Sequence, residues 1–253
     1  MPDFAVVFWK EWRERLQEPG RPINTWQTLV LVMVGGGLWF AFQNGDNATA
    51  RGPLTGALAG MVLVALSVSD SFAGERERGT LEALFSTPLS DAGILFGKVL
   101  AAGTHGWLLG LLFTTSVAAG LALAGTAWAP LWQPTALAGV LVFGFSGALL
   151  FAVVGCTVSV RSPSVAIAQQ RLMVSVVGTA IGLSALVIGS ALLVRRLAGQ
   201  GGPMANTMAR ALRWVGTLTP VQGLLVASAV CVLLAVPILL YAEAQVQAAR
   251  ERK

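Results

Sequence analysis

Apolar residues in this sequence are gathered into long runs that short polar stretches separate. A helix that crosses the hydrocarbon core of a bilayer needs roughly 20 apolar residues. Six runs are long enough, and we predict a transmembrane helix in each of them: 24–43, 54–73, 92–125, 135–158, 167–194 and 220–241. The pattern therefore predicts an all-α polytopic membrane protein with one transmembrane domain over residues 1–253.

The N-terminal segment 2–18 has a different pattern, in which apolar and polar residues repeat with the period of a helix. The apolar set is Phe4, Ala5, Phe8, Trp9, Trp12 and Leu16, and the polar set is Asp3, Lys10, Arg13, Glu14 and Gln17. An amphipathic helix with aromatic anchors lies in the headgroup plane of a bilayer. We therefore predict an N-terminal interfacial helix; a soluble helix packed on a partner is the alternative.

The densest polar stretch lies between the second and third apolar runs, and we call residues 70–98 the polar segment. Within it we predict a short helix that has Thr80 as its N-cap and Glu82 in its first turn. Pro88 ends that helix, because proline disfavours helical geometry in the residue before it. We expect Ser90 to cap the following span.

A helix this short is marginally stable alone in water, so we expect it to dock into a groove on another protein. The side chains that we expect to be buried in that partner are Leu81, Leu84 and Phe85. The charged residues that would surround them are Glu75, Arg76, Glu77, Arg78 and Glu82. A solvated charged loop is the alternative, but it would not need this order of helix start, apolar triplet and helix stop.

Composition supports the membrane assignment, since 55% of the residues are hydrophobic and only 11% are charged. A soluble domain carries about 25% charged residues. The net charge is +5, but most basic residues lie between apolar runs, which indicates contact with lipid headgroups and no nucleic-acid surface. Cys156 and Cys231 both lie inside apolar runs, so neither a metal site nor a disulfide is expected.

The distribution of Lys and Arg predicts the orientation of the chain. If the N-terminus is cytoplasmic, that side of the membrane carries 12 basic residues and the other side carries 5. The positive-inside rule then places both termini and the polar segment in the cytoplasm, in an inner or plasma membrane. Four of the five basic residues on the outer side lie in 195–213, where lipid headgroups are the expected contact.

A few polar side chains fall inside or beside the predicted spans, and these are Asp70, Lys98, His105, Gln169, Gln170 and Arg171. We interpret His105 as a structural residue that bonds to a neighbouring span, and we expect Asp70 to pair with Arg76, Arg78 or Lys98. No residue spacing indicates a catalytic or metal site, so the chain is not expected to be an enzyme.

Residues 93–99 superficially resemble a phosphate loop. A phosphate loop has four residues between its glycines and Ser or Thr after its lysine. Here three residues separate Gly93 from Gly97, and Val99 follows Lys98. This chain is therefore expected to bind no cofactor of its own.

The polar segment resembles the signature of type-2 ATP-binding-cassette exporter permeases. The similarity lies in three stretches, 75–82, 86–90 and 97–98, and extends to the layout of six spans and an N-terminal amphipathic helix. In that family the amphipathic helix and the loop after the second span contact the ATPase subunit. The resemblance assigns the coupling helix to 75–89 and an outer-face re-entrant segment to 198–219. It also implies a dimer of identical or related permease subunits, with ATP and Mg²⁺ bound to separate ATPase subunits.

The resemblance carries the ATPase contact to residues of the N-terminal helix and of the polar segment. These are Trp9, Trp12, Arg13, Glu75, Arg76, Glu77, Arg78, Gly79, Thr80, Leu81, Glu82, Leu84, Phe85 and Pro88.

Three other interpretations stay open. One is a membrane scaffold or sensor that recruits a cytoplasmic partner without transport, and another is an ion-coupled secondary carrier. The carrier would need internal repeats and charged groups in mid-span, and the sequence has neither. The third is a haem-exporter-type permease of cytochrome maturation. Within an exporter, a lipid or drug, a peptide, and force on a mechanical partner all fit the sequence.

Overall fold

A computed structural model describes residues 3–17, 31–44, 46–125, 129, 133–176, 178, 189 and 220–251. Every regular element within these residues is a helix. In chain order they are α1 (Asp3–Gln17), α2 (31–44), α3 (Asp46–Val68), α4 (Asp70–Glu77), α5 (Leu81–Phe85), α6 (Asp91–Leu123), α7 (134–160), α8 (165–176) and α9 (Pro220–Glu251). Two of them contain π-helical turns, at Leu31–Leu38 in α2 and at Gly139–Phe143 in α7.

Four helical stretches in the described part of the chain are long and apolar enough to cross a membrane. They are Leu54–Glu77, Asp91–Leu123, Leu141–Val160 and Leu225–Glu251. These stretches correspond to the predicted spans 54–73, 92–125, 135–158 and 220–241, so the all-α membrane class is confirmed. The predicted spans 24–43 and 167–194 are described only in part, and 198–219 lies outside the described residues, so six spans remain a prediction.

Two helices are longer than predicted. The polar run 44–47 predicts a loop after the first span, but α3 already begins at Asp46. In the sequence, Pro237 predicts an interruption of the last span and residues 243–253 predict a charged tail, yet α9 is continuous to Glu251. A membrane-spanning helix tolerates an internal proline because its surroundings can satisfy the freed backbone groups.

α3 and α6 pack closely along their length because glycines face each other. A Cβ atom at Gly60 would lie 2.7 Å from the Gly106 carbonyl oxygen, and one at Gly110 would lie 2.7 Å from the Gly56 carbonyl oxygen. Small residues let helix backbones approach in this way. In the sequence, the four-residue spacing of Gly56 and Gly60 already predicts close helix contact, and the structure confirms it.

Among the described residues, the larger of two apolar clusters lies where α4, α5 and the start of α6 meet the ends of α7 and α9. Its fully buried members include Val68, Phe72, Ile94, Leu95, Ala242 and Val246. Leu84 and Phe85 belong to this cluster and are only 9% and 5% exposed. The expectation that these two side chains are buried in a partner is therefore wrong, because they are already buried within this chain.

Candidate functional site

The polar segment begins as a direct continuation of the second span. α4 follows α3 with only Ser69 between them, and Ser69 itself keeps right-handed helical dihedrals. The Ser159 hydroxyl, from α7, accepts hydrogen bonds from the backbone N–H groups of Phe72 (3.0 Å) and Ala73 (2.9 Å). It donates to the Ser69 carbonyl oxygen at 2.7 Å. One buried hydroxyl thus fixes the α3–α4 junction to α7.

Two charged residues at the end of α4 bond to the ends of other helices. The Arg76 guanidinium donates to the Val160 carbonyl oxygen at 2.9 Å and to that of Ser162, which satisfies carbonyls at the C-terminus of α7. The Glu77 carboxylate accepts from the Val165 N–H at 2.8 Å, at the N-terminus of α8. Both charges suit the helix dipole they face.

A cluster of buried charges joins α1, α4 and α6. The Lys98 ammonium donates to the Glu11 carboxylate at 2.5 Å and to the Ser71 carbonyl oxygen at 2.8 Å, and it lies 3.5 Å from the Glu75 carboxylate. Lys10 donates to the same Glu75 oxygen at 2.9 Å. The cluster joins the N-terminal helix to the polar segment, which are the two regions predicted to contact an ATPase.

The electrostatics of α1 follow from this cluster. Burial alone would raise the pKa of the Glu11 carboxyl, but the Lys98 ammonium and the Arg15 guanidinium outweigh it and hold this pKa below its ordinary value. Burial opposes the charged form of Lys10, but the hydrogen bond to Glu75 outweighs it and raises the pKa of Lys10. Both residues are therefore charged at neutral pH.

Carboxylate oxygens of Glu11, Glu14 and Glu75 lie within 4.8 Å of one another, a spacing that would suit a metal ion. However, Lys98 contacts two of these carboxylates, and Lys10 contacts Glu14 at 3.1 Å as well as Glu75. The two ammonium groups supply the positive charge that a metal ion would bring, so this geometry favours ion pairs.

α1 lies against α6 at the two glycines of the phosphate-loop-like stretch. A Cβ atom at Gly93 would lie 2.6 Å from the Asp3 Cβ atom, and one at Gly97 would lie 2.5 Å from the Val7 Cβ atom. The buried stripe of α1 consists of Val7, Glu11 and Arg15, at successive four-residue spacings. These glycines therefore serve helix packing.

In the turn between α4 and α5, Thr80 precedes α5 as predicted, but its side chain does not cap the helix. Its hydroxyl makes no capping bond to α5 and donates instead to the Glu75 carboxylate and, at 3.2 Å, to the Glu75 carbonyl oxygen. A carboxylate is the stronger acceptor, which explains the preference. Gly79 adopts φ +71°, a left-handed conformation that favours glycine.

The turn from α5 into α6 is held at both sides. Ser90 accepts a hydrogen bond from the Gly93 N–H at 3.2 Å, so its predicted N-cap role is confirmed. The Asp3 carboxylate accepts from the Ser90 hydroxyl at 2.8 Å and from the Ser90 N–H at 3.1 Å, and these two bonds lower the pKa of Asp3. On the other side, the Arg250 guanidinium of α9 bonds to the same turn.

The predicted ATPase-contact residues divide by exposure. The exposed ones are Trp9, Arg13, Glu77, Arg78, Gly79, Thr80, Glu82 and Pro88. The half-buried ones are Trp12, Arg76 and Leu81, and the buried ones are Glu75, Leu84 and Phe85. Between Glu77 and Pro88 the exposed surface is mostly polar, whereas Leu84 and Phe85 attach the segment to the bundle.

The remaining predicted polar residues do not form one site. Asp70 pairs with Arg78 at 3.4 Å, one of its predicted partners. His105 packs edge-on against Trp12, with ring centroids 6.3 Å apart. Gln169 is half-buried on α8, while Gln170 is exposed, and so is Arg171, which donates to the Arg161 carbonyl oxygen at 3.5 Å.

Among the residues that hold the polar segment, sequence reasoning missed Asp3, Glu11, Ser159 and Arg250. Each bonds to a residue more than 80 positions away, so no local pattern marks it. The one available signal was the spacing of Val7, Glu11 and Arg15, which places them on one stripe of α1.

Comparison with known proteins agrees with the membrane helices. No curated protein sequence matches the chain significantly. The family model described as ABC-2 type transporter matches residues 2–193, which covers every described helix from α1 to α8. The chain therefore belongs to the ABC-2 type transporter family and is a membrane permease subunit.

Proposed function

We propose that this permease is one half of an ATP-driven exporter, and that separate ATPase subunits drive it through the polar segment. The observation that carries this proposal is the set of bonds around the segment. The segment is bonded to α1 through Glu75 and Ser90, and to α7 and α8 through Arg76 and Glu77. The turn between α5 and α6 bonds to Arg250 of α9. A force applied there reaches all of these helices.

The proposed ATPase contact is the exposed face of the polar segment. This face comprises Glu77, Arg78, Gly79, Thr80, Glu82, Ala83, Ser86 and Pro88. It carries both charge signs, which suits a polar interface rim. Leu84 and Phe85 have a different role in this proposal. Their burial attaches α5 to the bundle, so that α5 moves together with the spans.

Transmission of movement follows from helix continuity. α4 extends α3, and only five residues, 86–90, separate the end of α5 at Phe85 from the start of α6 at Asp91. Such a short connection allows little independent movement. Ser159 fixes the α3–α4 junction to α7 through the Ser69 carbonyl oxygen, and Lys98 of α6 bonds to the Ser71 carbonyl oxygen of α4. Displacement of α5 by an ATPase subunit would therefore tilt α3 and α6. The two helices would tilt together, because they share close glycine contacts.

The N-terminal helix has the exposures that an interfacial position needs. Phe4, Val6 and Trp9 are 42%, 47% and 57% exposed, and the charged Lys10 and Arg13 are also exposed. In the proposed arrangement these apolar side chains lie among lipid headgroups and acyl chains, while Arg13 reaches the ATPase. Both termini and the polar segment are then cytoplasmic, which agrees with the distribution of basic residues.

The proposed exporter contains two such permeases, identical or related, with the translocation path between them. ATP binding would close the ATPase pair and draw the two polar segments together. This chain would supply no catalytic residue, in keeping with the generally non-catalytic character of ABC-2 membrane subunits. ATP and Mg²⁺ would bind to the ATPase subunits.

The proposal is tested by purifying the tagged chain from its native membrane in mild detergent. We expect a chain with a complete phosphate loop to co-purify in equal amount, to be identified by mass spectrometry, and to hydrolyse ATP faster when bound than alone. Crosslinking is expected to yield a permease dimer. A folded permease that binds no ATP-hydrolysing chain, in detergent or in nanodiscs, would contradict the proposal.

A further inference from the structure

The last turn of α9 reaches the turn that leads from α5 into α6. The Arg250 guanidinium donates to the Asp91 carboxylate at 2.9 Å, to the Thr87 carbonyl oxygen at 3.2 Å and to the Leu89 carbonyl oxygen at 3.4 Å. One side chain thus binds three acceptors within a five-residue stretch. A guanidinium can do this because its donors form a planar fork, which a lysine ammonium does not reproduce.

The end of α9 that carries Arg250 is packed against the rest of the chain. Ala242 and Val246, two turns and one turn earlier, are both fully buried in the larger apolar cluster. Between them, Gln245 accepts a hydrogen bond from Arg161 at 3.2 Å. Arg250 therefore extends from a fixed helix, although the rest of α9 is largely exposed along its apolar length.

We propose that Arg250 is a positioning residue for energy coupling: it joins α9 to the Thr87–Asp91 turn, so that displacement of the polar segment also moves the last helix. Asp3 of α1 also bonds to this turn, at Ser90. The first and last described helices therefore both bond to the same turn. The link itself rests on the observed bonds, whereas its part in coupling rests on the proposed ATPase partnership.

Hydrogen exchange on the purified chain tests the link directly. In Arg250→Ala, we expect the amides of residues 86–93 to exchange roughly 10- to 100-fold faster, the change that loss of charge-assisted hydrogen bonds produces. Arg250→Lys should lie between this variant and the natural chain. Gln247→Ala is the matched control, because Gln247 is exposed on the same turn of α9, and it should leave exchange unchanged. Unchanged exchange in Arg250→Ala overturns the proposal.

Coupling is measured in the complex with the ATPase subunit, as the increase in ATP hydrolysis that the permease causes. We expect Arg250→Ala to reduce this increase at least about fivefold while the ATPase stays bound, with partial recovery in Arg250→Lys. A full increase in Arg250→Ala overturns the coupling role. If the natural chain binds no ATPase, the proposed function fails, and the exchange experiment still decides whether Arg250 holds the turn.

Discussion

The Lys98 ammonium lies 2.5 Å from the Glu11 carboxylate, and both side chains are at most 2% exposed. Glu11 is on the N-terminal helix, and Lys98 is near the start of α6. The same ammonium approaches Glu75 of the polar segment, so three separate elements meet at one cation. Charges buried this deeply are stable only when they are paired, so the positions of these elements depend on each other.

Removal of the Lys98 cation should destabilise the fold. In Lys98→Met the carboxylates of Glu11 and Glu75 stay buried without their shared partner, and we expect the free energy of unfolding to fall by about 3 kcal/mol. Titration with SDS in mixed micelles measures this change. Lys10→Met is the control, because the Lys10 side chain is 45% exposed, and it should cost less than about 1 kcal/mol. Equal effects of the two substitutions would contradict the buried-cluster interpretation.

Acid should weaken the Glu11–Lys98 pair. The pKa of Glu11 is lower in the folded chain than its ordinary value of 4.5, so the stability that its charge contributes is complete above pH 4.5. That contribution is lost as the pH falls through the folded pKa. Glu11→Gln has no such charge, and we expect the difference in unfolding midpoint between it and the natural chain to shrink below pH 4.5. A difference that grows in acid would have the opposite sign to the one predicted.

Gly79 should be sensitive to a side chain. Its φ of +71° is unfavourable for L-residues, so Gly79→Ala is expected to lower the free energy of unfolding by about 1 kcal/mol. Gly223→Ala is the matched control, since Gly223 lies within α9 and nothing is within 4 Å of its added Cβ atom. In a helix that change should stabilise by roughly 0.5–1 kcal/mol. The opposite order of the two variants in thermal unfolding would contradict the turn geometry.

Reversal of the charge at Glu82 should uncouple the permease without unfolding it. Glu82 is exposed on α5, and in the proposed contact it faces a basic surface of the ATPase subunit. Glu82→Lys would place a positive charge against that positive surface, and like charges repel. We expect at least about a tenfold loss of permease-dependent ATP hydrolysis, with normal membrane insertion and an unchanged unfolding midpoint. Arg171→Glu reverses the charge of an exposed side chain on α8 and should retain activity. Normal stimulation by Glu82→Lys would remove Glu82 from the contact.

Local signals in the sequence predict local structure well here. The third span is predicted over 92–125 and observed as Asp91–Leu123, with Ser90 as its cap, because apolar length and a capping residue lie next to each other in the chain. The glycine pair Gly56 and Gly60 likewise predicts close packing. The family is likewise predicted from local signals, most specifically those in residues 75–98.

What the sequence does not reveal is which surface meets which. Leu84 and Phe85 are correctly predicted to be buried, but a periodic pattern does not tell whether the groove belongs to the same chain or to a partner. By its pattern Glu11 is one more polar residue on an amphipathic helix, and only the packing of α6 brings Lys98 to it across 87 positions. Residues 243–253, which include Arg250, are predicted as a charged tail, but α9 continues through Arg250, and the burial of Ala242 and Val246 packs that end against the chain.

The most decisive measurement is a photocrosslink from the exposed face of α5. A photoreactive residue at Ala83, which is exposed, should form an adduct with the ATPase subunit, and the adduct yield should change when ATP is added. The same residue at Gln170, exposed on α8, should form little or none. Crosslinking from Ala83 to a phosphate-loop-containing chain is the predicted result. An active complex in which Ala83 yields no such adduct would contradict coupling through the polar segment.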